Sequence, residues 1–184
     1  MPVASAAPFR RLIRCRQPWR AAAFTLALGS ILSVGAACST GASASGSHQV
    51  RVVAATNVWG DIAATVGGRW VSVTSIISNP GQDPHSFEAS ARVLLGIKQA
   101  DLLIENGGGY DNFIGQMISS SGTDAPVLDA VIISGRAAPP GGDLNEHVWY
   151  DLATAKRVAG AVARQLAHLQ PSLAGQFKAN ALKQ

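Results

Sequence analysis

The sequence predicts an α/β domain, a parallel sheet flanked by helices. Three observations predict it. Apolar residues make up 47% of the 184-residue chain and charged residues only 14%, which excludes an intrinsically disordered chain. Aromatics are few at 6% and glycines number 19, so small residues dominate the packing. From residue 50 onward, short β-branched runs alternate with segments of helical period, the pattern that right-handed crossovers impose on a parallel sheet.

Each element follows from local chemistry. Val50-Arg51-Val52-Val53-Ala54-Ala55 predicts a first strand. Asn57 predicts the cap of a helix to about Val66, stopped by Gly67-Gly68. Trp70 to Ile77 predicts a second strand. Asn79 to Pro84 holds two prolines and a glycine and predicts a loop. Glu88 to Gln99 predicts a helix whose apolar face is Val93, Leu94 and Ile97. Asp101 to Glu105, apolar at its centre, predicts a buried parallel strand. A glycine-rich turn and a helix from about Tyr110 to Ser119 follow, then a strand from Val127 to Ile133, a polar loop over 134–146 and a short strand at His147-Val148-Trp149-Tyr150. Leu152, Ala155, Val158, Ala159, Val162, Leu166 and Leu169 predict one stripe of a long helix. Pro171 breaks it, and a last helix is expected from Ser172, still running at Gln184.

The net charge of +4 is unevenly placed. Arg10, Arg11, Arg14, Arg16 and Arg20 lie in the first twenty residues, and every acid lies from Asp61 onward. From residue 38 the chain holds 10 basic and 11 acidic residues. No basic footprint for nucleic acid is expected on the folded part.

The arginines precede an uncharged run, Ala21 to Ala37, and then Cys38. A positive segment, an apolar segment and small residues before a cut point read as an export signal over 1–37. Gly35-Ala36-Ala37-Cys38 resembles a bacterial lipobox, although Gly35 stands where that pattern prefers Leu. The expectation is therefore a lipidated Cys38, an exported protein anchored to the outer face of the cell membrane, and a flexible Ser/Gly/Ala tether over 38–49. The second cysteine, Cys15, lies in the signal, so the mature chain has no thiol pair for a disulfide.

Few chemistries are available. No Gly-Lys pair exists, so there is no phosphate loop. Gly107-Gly108-Gly109 lacks the third dinucleotide glycine, because residue 112 is Asn112, and reads as a tight turn. There is no nucleophile elbow and no His-Glu-x-x-His helix. His48 falls in the tether and His168 beside the apolar helix stripe. His85 and His147 fall on loops next to predicted strands. In an open α/β sheet, ligands bind at the carboxyl ends of strands, and neutral imidazoles there suit a divalent metal. Read locally, each is also an ordinary loop histidine.

Three segments carry a resemblance. Asp83-Pro84-His85-Ser86-Phe87-Glu88, Ala100-Asp101-Leu102-Leu103-Ile104-Glu105-Asn106-Gly107 and His147-Val148-Trp149-Tyr150-Asp151 are similar, in order and spacing, to signatures of the zinc/manganese-binding substrate proteins of bacterial ABC transporters. The resemblance covers residues 50 to 184. It implies one lobe of a two-lobed periplasmic-binding-protein-like fold, with a metal-binding lobe over 50–170 and the start of an interlobe helix over 171–184. It gives no candidate in this chain for the second lobe. It places metal ligands at His85 and His147, with Asp83 and Glu146 as neighbours that offset charge or orient an imidazole. It implies capture of a divalent cation, Zn²⁺ favoured and Mn²⁺ the alternative, for delivery to a membrane permease, with no bond made or broken. The rival readings are a metal-incompetent or adhesin-like surface lipoprotein and a metal-dependent hydrolase. The hydrolase needs a third ligand and a general base.

Overall fold

The computed structural model describes residues 48–184. The predicted export signal and Cys38 lie outside the described residues.

Four parallel strands form one sheet: β1 Val50–Thr56, β2 Val71–Ile77, β3 Leu102–Glu105 and β4 Val127–Asp129. Their order is β2-β1-β3-β4. β1 is central, with Val53 opposite Thr74 on one side and Leu103 on the other. It is buried from Val52 to Thr56 because neighbours cover both its edges and both its faces.

The helices are α1 Asn57–Gly67, α2 Ala91–Lys98, α3 Asn112–Ser121, α4 Ala130–Ser134, α5 Leu152–Leu169 and α6 Ala174–Ala181. Alternate residues of β1 point to opposite faces, and two cores result. Val52 and Ala54 pack with Trp59 and Val66 of α1, Val158, Val162 and Leu166 of α5, and Phe177 of α6. Val53 and Ala55 pack with Ile97 of α2 and with Phe113 and Ile114 of α3. The chain therefore leaves β1 towards one face and β2 towards the other. The sheet changes winding between β1 and β3, where such folds open a crevice.

The predicted alternation of strands and helices holds, with local differences; Asn57 begins α1 instead of capping it, and α3 begins at Asn112 instead of Tyr110. The segment 127–133 divides after three residues, because Asp129 Oδ1 accepts the Ile132 N–H at 2.8 Å and caps α4. Residues 148–150 form a 3₁₀ turn instead of a strand, stopped by Asp151. The Asp151 carboxylate caps α5 through the Ala153 N–H at 3.1 Å and the Thr154 hydroxyl at 2.8 Å. Helix α2 starts at Ala91 instead of Glu88, and α6 ends at Ala181 after a 3₁₀ turn over Pro171–Leu173. The predicted stripe of α5 is buried only at its centre: Leu152 is 77% and Leu169 41% exposed. The last two tether residues are tied down, since Gln170 Nε2 donates to the His48 carbonyl at 2.8 Å and Gln49 Nε2 to the Arg69 carbonyl at 2.9 Å. Among the described residues no helix is long and apolar enough to cross a membrane.

Helix α6 belongs to the domain's core. Phe177 is fully buried, and Asn180 Nδ2 donates to the Val66 carbonyl at the end of α1 at 2.9 Å. Phe177→Ala is therefore expected to cost about 3–5 kcal/mol of unfolding free energy, measured by urea denaturation followed by far-UV circular dichroism. A cost under about 1 kcal/mol would mean that α6 does not pack as described.

Candidate metal site

The loop after β2 is built from side chains that cap their own backbone. Asn79 Oδ1 accepts the Gly81 N–H at 2.9 Å. Asp83 Oδ1 accepts the His85 N–H at 3.0 Å, and the Ser86 hydroxyl donates to Asp83 Oδ2 at 3.3 Å. Pro84, with its φ fixed, opens the short 3₁₀ turn Pro84–Ser86. The result is a rigid platform on which the His85 side chain stands half exposed.

The second histidine is fixed by a similar device. Asn145 Oδ1 accepts the His147 N–H at 3.0 Å and lies 3.0 Å from His147 Nδ1. His147 has φ −76° and ψ 50°, and the Val148 N–H donates to the Glu146 carbonyl at 2.7 Å. This is an inverse γ-turn centred on His147. With the ring hydrogen on Nδ1 and shared with Asn145, Nε2 keeps a free lone pair.

Two loops far apart in sequence meet at the carboxyl end of the sheet. Glu146 Oε1 lies 3.6 Å from His85 Nε2 and 3.8 Å from His147 Nδ1. The Tyr110 ring packs edge-on against both imidazoles, with centroids 5.3 Å from His85 and 5.7 Å from His147. Trp149 packs on Tyr110 at 4.8 Å and on His147 at 5.0 Å. Burial, then the carboxylates of Asp111, Asp83 and Glu146, hold the Tyr110 phenol above its ordinary range. A cleft of about 310 Å³ beside the cluster is lined by Thr56, Ile77, Pro84, Tyr110 and Trp149.

Beneath the cluster lies the turn after β3. Gly107, Gly108 and Gly109 all have positive φ, and a Cβ at Gly107 would collide with the Asp129 carboxylate. The three glycines therefore serve a tight turn, as their spacing predicts. Asp111 closes the turn by accepting the Asn106 N–H at 2.7 Å and the Gly107 N–H at 2.9 Å. Asn106 is fully buried: its Oδ1 accepts from Trp59 Nε1 at 3.2 Å, and its Nδ2 donates to the Gly107 and Glu146 carbonyls at 3.1 and 2.9 Å.

Of the residues singled out from sequence, His85, His147 and Glu146 come together. Asp83 instead engages the backbone amide of His85 and the Ser86 hydroxyl. Cys38 lies outside the described residues. His48 and His168 are exposed and apart from the site. Among the described residues, no group of three or more His, Cys, Asp or Glu side chains is arranged to hold a metal ion. Sequence reasoning missed Tyr110, Asn145 and the buried role of Asn106. Only Asn145 carried a local signal, an Asx residue two positions before a histidine.

A small parallel-sheet domain with its loops gathered at the carboxyl edge is the lobe architecture of periplasmic metal-binding proteins. Residues 52–183 match the family model for the zinc-uptake complex component A, periplasmic, and the chain belongs to that family. It is 29% identical over 143 residues to the manganese-binding lipoprotein MntA of Bacillus subtilis (74% of this chain, 46% of the relative). It is 26% identical over 159 residues to the metal ABC transporter substrate-binding lipoprotein ScbA of Streptococcus cristatus (79% and 50%). The fold is similar to that of the Mn-bound periplasmic metal-binding protein of Candidatus Liberibacter asiaticus, with TM-score 0.65 and 22% identity over 73% of this chain and 51% of that one. The chain thus spans about half the length of the curated relatives it matches.

Glu105, at the end of β3, gives the site's base a pH dependence. Burial, then the charges of Asp111 and Asp129, push its carboxyl up to about 7. The folded state then holds a proton that the unfolded chain releases in the ordinary carboxylate range. Stability contributed by this group is full below about pH 4 and falls as pH rises to about 7. Glu105→Gln removes the ionisation. Its melting temperature relative to wild type is expected to rise between about pH 5 and pH 7.5; a pH-independent difference would refute the shift.

Proposed function

We propose that this chain is the metal-capturing lobe of an exported solute-binding protein, with His85 and His147 as ligands to a divalent cation passed on to an ABC permease. One observation carries the reading: imidazoles from two separate loops flank the same Glu146 oxygen, His85 by Nε2 at 3.6 Å and His147 by Nδ1 at 3.8 Å, with His147 Nε2 left for the ion. Neutral imidazoles supply lone pairs, and the nearby carboxylate offsets the charge of the ion. Two nitrogen donors favour zinc over manganese, the metal in the family's description; manganese is the alternative that the name of the Bacillus relative supports. The relatives bear the names of binding proteins, which supports cargo capture without catalysis. In the same reading Cys38 carries the lipid anchor, Asp83 and Glu146 support the ligands, residues 50–170 form the lobe, and residues 171–184 begin the interlobe helix.

Two imidazoles leave positions on the ion for water or further donors, so binding by this chain alone is weaker than at a four-ligand site. The test is competition for Zn²⁺, then Mn²⁺, against a chromogenic chelator. His85→Ala and His147→Ala are each expected to weaken Zn²⁺ binding about tenfold or more, with the melting temperature unchanged. Wild-type affinity in either folded variant would overturn the shared site.

A further inference from the structure

From the hydrogen bonds around Asn106, we infer that this residue is a positioning residue for metal capture, acting through the backbone turn that aims His147. The inference rests on the reading of His85 and His147 as ligands.

Asn106 has no exposure to water, yet all three of its side-chain hydrogen-bonding roles are used on backbone or core groups. One Nδ2 hydrogen goes to the Glu146 carbonyl, forty residues away in sequence. That carbonyl also closes the γ-turn around His147, through the Val148 N–H. The direction of the His147 side chain is therefore set by a carbonyl that Asn106 holds. The other Nδ2 hydrogen goes to the Gly107 carbonyl, which also accepts the Tyr110 N–H at 3.2 Å. Tyr110 is the ring wedged against both imidazoles. One buried amide thus fixes the turn beneath His147 and the turn beneath its neighbouring ring.

The orientation of the amide is fixed from behind. Trp59 Nε1 is a donor only, so it selects Oδ1 and leaves both Nδ2 hydrogens for the two carbonyls. The loop over 134–146 is polar, and this amide ties its carboxyl end to the turn after β3.

Asn106→Asp is nearly isosteric and keeps the acceptor for Trp59. It sets a carboxylate oxygen against two carbonyls in place of their donor. Zn²⁺ affinity of the purified full chain is expected to fall about tenfold. The cost must be conditional. In a His85→Ala background, where His147 remains, Asn106→Asp should cost a similar factor. In a His147→Ala background it should cost much less, because the group it aims is gone and only the Tyr110 turn beside His85 remains. A purely structural role would cost the same in both backgrounds and would overturn the proposal. So would Asn106→Asp binding Zn²⁺ within about twofold of wild type while both histidine variants lose binding; the ligand reading would then stand alone. If neither histidine variant loses binding, the ligand reading fails and this proposal fails with it. Should Asn106→Asp not fold, Trp59→Phe removes the indole donor that orients the amide, with a smaller ring left in the core. It is expected to weaken Zn²⁺ binding several-fold under the same two-background rule, and unchanged binding would overturn the proposal.

Discussion

Asn106 brings a carboxamide to a place that water does not reach, and a polar group there must find partners inside the protein or cost about 1–3 kcal/mol for each one missing. It finds three, and they belong to three parts of the chain: Trp59 on α1, the glycine turn after β3, and the loop before α5. The glycine turn can exist because Gly107, Gly108 and Gly109 adopt positive φ and Asp111 closes it. The same turn buries Glu105 and brings Asp111 and Asp129 near it, and both raise its carboxyl, burial the more. The sheet order decides where all this happens, since the winding reverses between β1 and β3.

The imidazoles themselves are held lightly by comparison. His85 and His147 are each about half exposed, and each owes its backbone placement to a neighbouring Asp or Asn that bonds its amide. The economy is local. Asp83 and Asn145 sit two residues before their histidine, so each histidine carries its own mount. What is not local is the distance between the mounts, which the Tyr110 ring spans. A rigid aromatic between the two imidazoles sets a minimum separation for them.

Much of the fold was legible because periodicity reports burial. The β-branched run of β1 and the spacing of Val158, Val162 and Leu166 name the elements and their inward faces directly. The meeting of His85 and His147 was legible through the motifs around them. The failures share a cause. Val148-Trp149-Tyr150 has strand-like composition, but Asp151 captures the next helix's amides before any strand can pair with it. Asp129 does the same inside the run that follows Val127. In both, a capping carboxylate outcompetes a side-chain pattern, and the cap was visible in the sequence as an Asp before a helical run. Tyr110 and the buried bonds of Asn106 had no such local mark, because their partners, the Gly107 carbonyl apart, lie 25 to 47 residues away in sequence.

The bonds from Gln170 to His48 and from Gln49 to Arg69 have a mechanical consequence. They fasten the chain beside the amino end of β1, where Arg51 also grips Asp101 through its guanidinium at 3.1 Å. The histidine loops stand at the other pole, about 20 Å along a seven-residue strand. A load applied at residue 48 therefore enters at β1. It is resisted in shear by the ladders to β2 and β3, which share the load across many hydrogen bonds. The loops that carry the imidazoles lie outside that line of force, so a load on β1 bypasses them.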